Sequence, residues 1–155
     1  MVDRLGLGPD SGWMPTKRVK VGLVGLGEVA QIVHLPILKS LPEHFEIFAL
    51  CDVSPGLLEA VGREYQVDRL FADHRELSAL PEVDAVFVLN ANEYHAECTI
   101  EAAKQGKHVL LEKPMCLNLD EADAIIEAGE KYDVGVMVAY MRRYAPAFVQ
   151  GVEAV

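Results

Sequence analysis

Residues 19–30 read VKVGLVGLGEVA, and this stretch decides the fold of the 155-residue chain. Its first half is an apolar run rich in β-branched valine, which is typical of a buried strand. Gly25, Gly27 and Ala30 follow at the spacing G-x-G-x-x-A, and a helical pattern comes after them. A strand that passes through such a turn into a helix predicts the first corner of a dinucleotide-binding βαβ unit.

Each small residue of this turn has its own physical role. Gly25 permits the tight turn, Gly27 lets the backbone approach a pyrophosphate with no Cβ between them, and Ala30 allows close packing of helix on strand. The helix start also offers free amides and a partial positive charge to phosphates. The predicted cofactor-binding residues of the turn are Gly25, Leu26, Gly27, Glu28, Val29 and Ala30.

Apolar runs alternate with helical segments along the rest of the chain. The predicted strands are Val19–Val24, Phe45–Cys51, Leu70–Phe71, Ala85–Leu89, His108–Leu111 and Val134–Tyr140. Runs this uniformly apolar suit strands that are covered on both faces. We therefore predict an α/β fold: a doubly wound parallel sheet of the Rossmann type, with three α/β/α layers and strand order 3-2-1-4-5-6.

A carboxylate, Asp52, ends the second predicted strand. It lies 27 positions after Gly25, against the usual ~20, because residues 34–44 form a long segment that contains two prolines. A carboxylate there accepts both hydroxyls of an adenosine ribose and repels a 2′-phosphate, and Val53 rather than an arginine follows it. Asp52 and Val53 therefore favour NAD over NADP. The same pattern also fits a methyltransferase, or an acid that merely ends a strand.

Composition excludes several other classes. With 14 basic and 24 acidic residues the formal charge is −10, so no basic footprint points to nucleic acid or to an anionic membrane. His34, His44, His74 and His108 have no metal-ligand partners at useful spacing, so they are predicted to be structural or solvated. The three cysteines have no CxxC spacing, which argues against a disulfide framework. Together with the lack of a secretory pattern, this predicts a cytoplasmic protein.

Residues 106–114 read GKHVLLEKP, a predicted strand that ends in Glu-Lys-Pro. With the glycine turn, Asp52 and the loop before His95, this segment resembles the Gfo/Idh/MocA oxidoreductases over about residues 19–148. The resemblance implies an N-terminal Rossmann domain that binds NAD(P), followed by a second α/β domain that carries much of the substrate site. It also implies oxidation of a sugar, an inositol or a related polyol.

Lys113 is the candidate catalytic residue. The carboxyl ends of parallel strands converge where ligands bind, and an ammonium there can hydrogen-bond a sugar hydroxyl and stabilise charge as hydride leaves. The resemblance assigns this lysine to the catalytic site; a lysine that only extends to water is the structural alternative. Glu112 is predicted to face the cofactor or to position Lys113.

Two further segments complete the predicted cofactor site. Residues 89–95 read LNANEYH, where the family usually has Thr-Pro followed by a histidine, so Asn90 and Ala91 replace Thr-Pro while His95 stays in place. We expect Asn90, Ala91 and Asn92 beside the nicotinamide, and His95 either as a ligand contact or as a helix cap. Arg143 matches the family's Arg-x-x-Pro segment and is either a cleft residue or a surface arginine.

The domain boundaries follow from these patterns. Residues 1–18 are predicted to be a flexible leader, residues 19–145 the Rossmann domain, and residues 146–155 the start of a truncated substrate domain. We expect NAD binding, a small polyol substrate, and self-association through the face that the second domain would cover. A noncatalytic NAD-binding or redox-sensing module is the alternative from another class.

Overall fold

The computed structural model describes residues 17–153, so most of the predicted leader lies outside the described residues. The six strands are β1 Val19–Val24, β2 Phe45–Cys51, β3 Leu70–Phe71, β4 Ala85–Val88, β5 His108–Leu111 and β6 Val136–Val138. The helices are α1 Leu35–Ser40, α2 Pro55–Tyr65, α3 His74–Ser78, α4 His95–Lys104, α5 Leu119–Lys131 and α6 Pro146–Glu153. A π turn, Ala30–His34, leads directly into α1.

All six strands are parallel and lie in the order β3-β2-β1-β4-β5-β6, which confirms the predicted doubly wound sheet. β2 and β3 lie on one side of β1, and the chain then crosses to β4 on the other side of β1. In such sheets the crevice at the carboxyl ends of the two central strands, β1 and β4, is where ligands bind.

Two apolar clusters cover the two faces of the sheet. Side chains of α1 and α2, such as Leu38 and Val61, pack with Leu23 of β1 in one cluster. Side chains of α4 and α5, such as Ala102 and Ile125, form the other cluster on the opposite face. Burial on both faces is the physical reason why the strands are apolar at nearly every position, and it confirms the three-layer architecture.

The last strand is shorter than predicted. The sequence predicted Val134–Tyr140, whereas β6 spans Val136–Val138. Asp133 has a left-handed φ of 52°, and the amide of Val134 donates to the carbonyl of Gly129 at 3.0 Å, so this part of the apolar run closes the end of α5. At the other end, the Tyr140 amide turns back to the carbonyl of Val138 at 2.8 Å.

The start of α5 is fixed by a reciprocal cap. Asn118 Oδ1 accepts the amide of Glu121 at 2.9 Å, and Glu121 Oε1 accepts from Asn118 Nδ2 at 2.9 Å. The second oxygen of Glu121 accepts the amide of Leu117 at 2.9 Å. These bonds satisfy amides that have no partner within the helix, and they define where the chain leaves the β5 turn.

Candidate cofactor site

The first corner of the sheet can hold only glycine at position 25. Gly25 has φ +91°, and a Cβ at this residue would lie 2.5 Å from both Cα and N of Asn90. Its amide donates to the carbonyl of Cys51 at 2.9 Å. The requirement for glycine therefore comes from the backbone conformation and from the close approach of the loop after β4.

Gly27 faces open space, in contrast to Gly25. Apart from the adjacent backbone, no atom lies within 4 Å of the position that a Cβ would occupy, and the residue is exposed. The helical hydrogen bonds begin here, because the amide of Gln31 donates to the Gly27 carbonyl at 3.1 Å. An open backbone surface at the start of a helix fits a diphosphate.

The side chains of this turn divide into buried and exposed ones. Leu26 and Ala30 are fully buried in the cluster beneath α1, whereas Glu28 is exposed and Val29 is partly buried. Ala30 thus sits at the helix–sheet contact, where the sequence pattern requires a small residue. Leu26 offers the site its backbone alone.

The Asp52 carboxylate is held by two backbone amides. Its Oδ2 accepts the amide of Leu26 at 2.8 Å, and its Oδ1 accepts the amide of Ser54 at 2.9 Å. A carboxylate oxygen has more than one acceptor position, so both oxygens can still accept ribose hydroxyls. The next residue, Val53, is 87% exposed and adds no positive charge beside the acid.

The loop after β4 passes directly beneath the glycine turn. Asn90 is half-buried and its Nδ2 donates to Cys98 Sγ at 3.2 Å, while its Oδ1 has no hydrogen-bond partner among the described residues. Ala91 and Asn92 are exposed at the same edge of the sheet. This loop offers a cofactor its backbone and two short side chains.

His95 is buried inside the protein. The residue is 1% exposed, with Nδ1 2.7 Å from the carbonyl oxygen of Pro114 and Nε2 3.1 Å from that of Asn90. The ring therefore joins the loop after β4 to the turn after β5. Both partners are carbonyls, so these contacts do not cap a helix amide; the residue before His95 is the N-cap of α4.

The turn after β5 carries one exposed and one buried charged side chain. Lys113 and Pro114 are exposed, and the peptide bond between them is cis. Glu112 is 4% exposed; its Oε2 accepts the amide of Lys113 at 3.0 Å, and its Oε1 lies 2.9 Å from Nε2 of His34. Glu112 thus has internal partners, whereas Lys113 is exposed at the carboxyl edge of the sheet, which is the edge where ligands bind in such folds.

The sequence shows no metal-ligand partner for His34, and the structure buries this residue against Glu112. The sequence indicates the direction of the His34 side chain but not its partner. His34 follows Ala30 by four positions, and residues at this spacing share one helix face. Because Ala30 must pack on the sheet, His34 also points towards the sheet and reaches the end of β5.

Arg143 follows β6, the last strand of the sheet. It is exposed on a short 3-10 helix, Met141–Tyr144, which directly follows the residues after β6. Its amide donates to the Tyr140 carbonyl at 3.0 Å.

Two buried thiols lie under the site. Burial raises the pKa of Cys51 to about 12 and that of Cys98 to about 11. Both thiols remain protonated at neutral pH, so they serve packing rather than nucleophilic chemistry. Within residues 17–153 no group of three metal-binding side chains is assembled.

Comparison with known proteins identifies the family. The sequence model of the oxidoreductase family with an NAD-binding Rossmann fold, Gfo/Idh/MocA, matches residues 19–140. The chain belongs to the Gfo/Idh/MocA oxidoreductase family. The Gfo/Idh/MocA Rossmann domain, which binds NAD, therefore includes the glycine turn, Asp52 and the turn after β5 that carries Lys113 (the Lys113 turn).

Several relatives of this Gfo/Idh/MocA domain are inositol dehydrogenases. The myo-inositol 2-dehydrogenase of Thermotoga maritima is 35% identical over 137 residues, which cover 88% of this chain and 40% of that protein. The crystal structure of scyllo-inositol dehydrogenase from Lactobacillus casei with bound NAD(H) and scyllo-inositol matches with TM-score 0.82 and 25% identity, over 88% of this chain and 40% of that one. A probable dehydrogenase from Thermotoga maritima matches with TM-score 0.82 and 34% identity, over 88% of this chain and 40% of that one.

The chain thus spans about two fifths of the length of the relatives that it matches. Among the described helices, none combines the length and apolar character that a membrane crossing requires.

Proposed function

We propose that this chain is the cofactor-binding part of an NAD-dependent dehydrogenase that acts on a secondary alcohol of a sugar, an inositol or a similar polyol. The observation that carries the proposal is the convergence of three strand ends: the glycine turn after β1, Asp52 after β2 and the Lys113 turn after β5. Because parallel strands end at one edge of the sheet, these groups lie along the same edge.

The residues present fit a dinucleotide along this edge. The exposed backbone at Gly27 would receive the diphosphate, and the fixed carboxylate of Asp52 would accept the adenosine ribose hydroxyls. Asn90, Ala91 and Asn92 would border the nicotinamide half. A 2′-phosphate would meet the negative charge of Asp52, which supports a preference for NAD over NADP.

Lys113 is the residue to which we assign catalysis. When bound, the nicotinamide ring supplies the acceptor or donor of a hydride. The ammonium of Lys113 would donate a hydrogen bond to the alcohol oxygen of the substrate and stabilise the negative charge that develops there. In this proposal Glu112 and His95 support the site from inside the protein through their contacts to the Lys113 amide and the Pro114 carbonyl. Arg143 is proposed as a cleft residue on the substrate side.

Titration of the chain with NADH, NADPH and S-adenosylmethionine tests the binding part of this proposal. We expect NADH to bind at least about tenfold more tightly than NADPH, because the 2′-phosphate is repelled by Asp52, and we expect no binding of S-adenosylmethionine. Tighter binding of NADPH, or no binding of NADH, would contradict it. A screen of polyols for NADH formation then tests catalysis, and binding without turnover in the full-length protein favours the noncatalytic module.

We also propose that the chain self-associates near its β6 edge. The segment from Met137 to Phe148 carries five large apolar side chains that are each about half exposed or more: Met137, Tyr140, Met141, Tyr144 and Phe148. β6 is the last strand of the sheet, and an edge strand beside apolar surface favours pairing with a second copy. Light scattering across a concentration series should show dimers or larger species. A constant monomer mass would contradict the proposal.

A further inference from the structure

A buried chain of hydrogen bonds joins the helix after the glycine turn to the backbone of Lys113. His34 Nε2 and Glu112 Oε1 are 2.9 Å apart, and Glu112 Oε2 accepts the Lys113 amide at 3.0 Å. His34 is 8% exposed and Glu112 is 4% exposed. Because a carboxylate only accepts hydrogen bonds, the imidazole supplies the proton between them. The link between His34 and Glu112 is buried, and the link to the Lys113 amide is partly buried.

The two residues joined by this buried contact, His34 and Glu112, belong to different halves of the fold. His34 closes the π turn, Ala30–His34, that follows the glycine turn, and its ring meets the edge of Phe87 on β4 at a centroid distance of 5.8 Å. Glu112 directly follows β5, on the other side of β4. π turns are rare and occur frequently at functional sites. The contact between His34 and Glu112 joins these two segments across β4, so it fixes the distance between the first helix and the end of β5.

The cofactor would cross this junction. With the adenosine ribose at Asp52 and the diphosphate at the corner after β1, the nicotinamide and its ribose would lie near the carboxyl ends of β4 and β5. The Lys113 turn lies at that end. We propose that His34 and Glu112 form a positioning pair that holds the Lys113 turn, and with it the nicotinamide half of the site, at a set distance from the glycine turn. This inference rests on the proposed NAD site.

The other end of the Lys113 turn is fixed separately. His95 Nδ1 lies 2.7 Å from the Pro114 carbonyl oxygen, and its Nε2 lies 3.1 Å from the carbonyl oxygen of Asn90. Loss of the His34 contact thus releases one end of the turn while His95 still holds the other. We expect the turn to shift rather than unfold, so the effect stays local to the nicotinamide half.

A comparison of two ligands isolates this effect. ADP-ribose contains the adenosine, the diphosphate and the second ribose of NAD but no nicotinamide, so it lacks the contacts that the nicotinamide ring would make beside the Lys113 turn. In the 155-residue chain, His34→Leu should weaken NADH binding about tenfold, a change typical of one lost hydrogen bond to a charged group. ADP-ribose binding should stay within about twofold. His34→Gln, which keeps an N–H donor, should recover most of the NADH affinity.

Two control variants complete the design. Asp52→Ala acts on the adenosine side and should weaken NADH and ADP-ribose equally. Lys107→Met removes another buried polar contact, since Lys107 is 7% exposed and its Nζ donates to the Leu80 carbonyl at 2.7 Å. This contact lies at the amino end of β5, away from the site. Lys107→Met should lower thermal stability and change neither affinity.

The outcomes separate the inference from the proposed function. Equal losses for the two ligands in His34→Leu, or no loss for either, would overturn the positioning role, and so would a His34→Gln variant as weak as His34→Leu. If the wild-type chain binds neither ligand, the proposed function fails first. If His34→Leu does not fold, His34→Asn, which is polar but too short to reach Glu112, provides the same comparison.

Discussion

Replacing Lys113 with alanine is expected to reduce turnover by about 10²–10⁴-fold in the proposed dehydrogenase, while the affinity for NADH stays within about twofold. Lys113 is exposed at the ligand edge, so its removal leaves no cavity and no unpartnered buried group. The loss falls on the step in which negative charge develops on the alcohol oxygen. Steady-state kinetics with a polyol substrate measure the first quantity, and NADH fluorescence titration measures the second.

Lys104 provides the matched control for this experiment. It is an exposed lysine at the end of α4, where its Nζ lies 3.5 Å from Glu101 Oε2, away from the strand ends that form the site. Lys104→Ala removes the same charge and should leave turnover and binding unchanged. If Lys113→Ala retains full turnover, Lys113 is not the catalytic residue.

Replacing Gly25 with alanine is expected to lower the free energy of unfolding by about 2–5 kcal/mol. The methyl group would be placed 2.5 Å from the backbone of Asn90, and the residue would have to keep φ +91°. Either the loop after β4 moves or the turn changes its conformation, and in both cases we expect the proposed diphosphate site to be lost. Urea denaturation followed by circular dichroism measures the change in stability.

Gly27→Ala separates stability from binding. Position 27 has open space where its methyl group would stand, so the free energy of unfolding should change by less than about 0.5 kcal/mol. The same methyl group would stand where the diphosphate is proposed to approach the backbone, so NADH affinity should still fall. Equal destabilisation by the two substitutions would show that the two glycines do not have the distinct roles assigned here.

Much of the fold was predictable from local pattern. Apolar runs gave the strands at 19–24, 45–51, 70–71 and 108–111 with the bounds that the structure has, because strands buried on both faces must be apolar throughout. The apolar run at 134–140 predicted a strand that is too long at both ends, since β6 spans Val136–Val138. Apolarity records burial, and Val134 is used to close α5 rather than to pair in the sheet.

The internal contacts of the site were less predictable. The sequence placed Glu112 and His95 near the cofactor but could not tell a ligand contact from a support. The structure gives both side chains internal partners, with the Lys113 amide and His34 for Glu112 and two carbonyls for His95. Side chains with the same place in the sequence pattern can point to the ligand or to the interior, and only packing decides which.

The sequence by itself determined the α/β class, the strand order, the glycine turn and the acid after β2, because each depends on residues close together in the chain or on a rule of topology. Only the tertiary structure decided that His34 meets Glu112 across 78 residues and that Asn90 lies against Gly25. These contacts form between segments that approach only when the sheet is assembled and its helices are packed. Their distances depend on side-chain volumes throughout both apolar layers, which no local pattern contains.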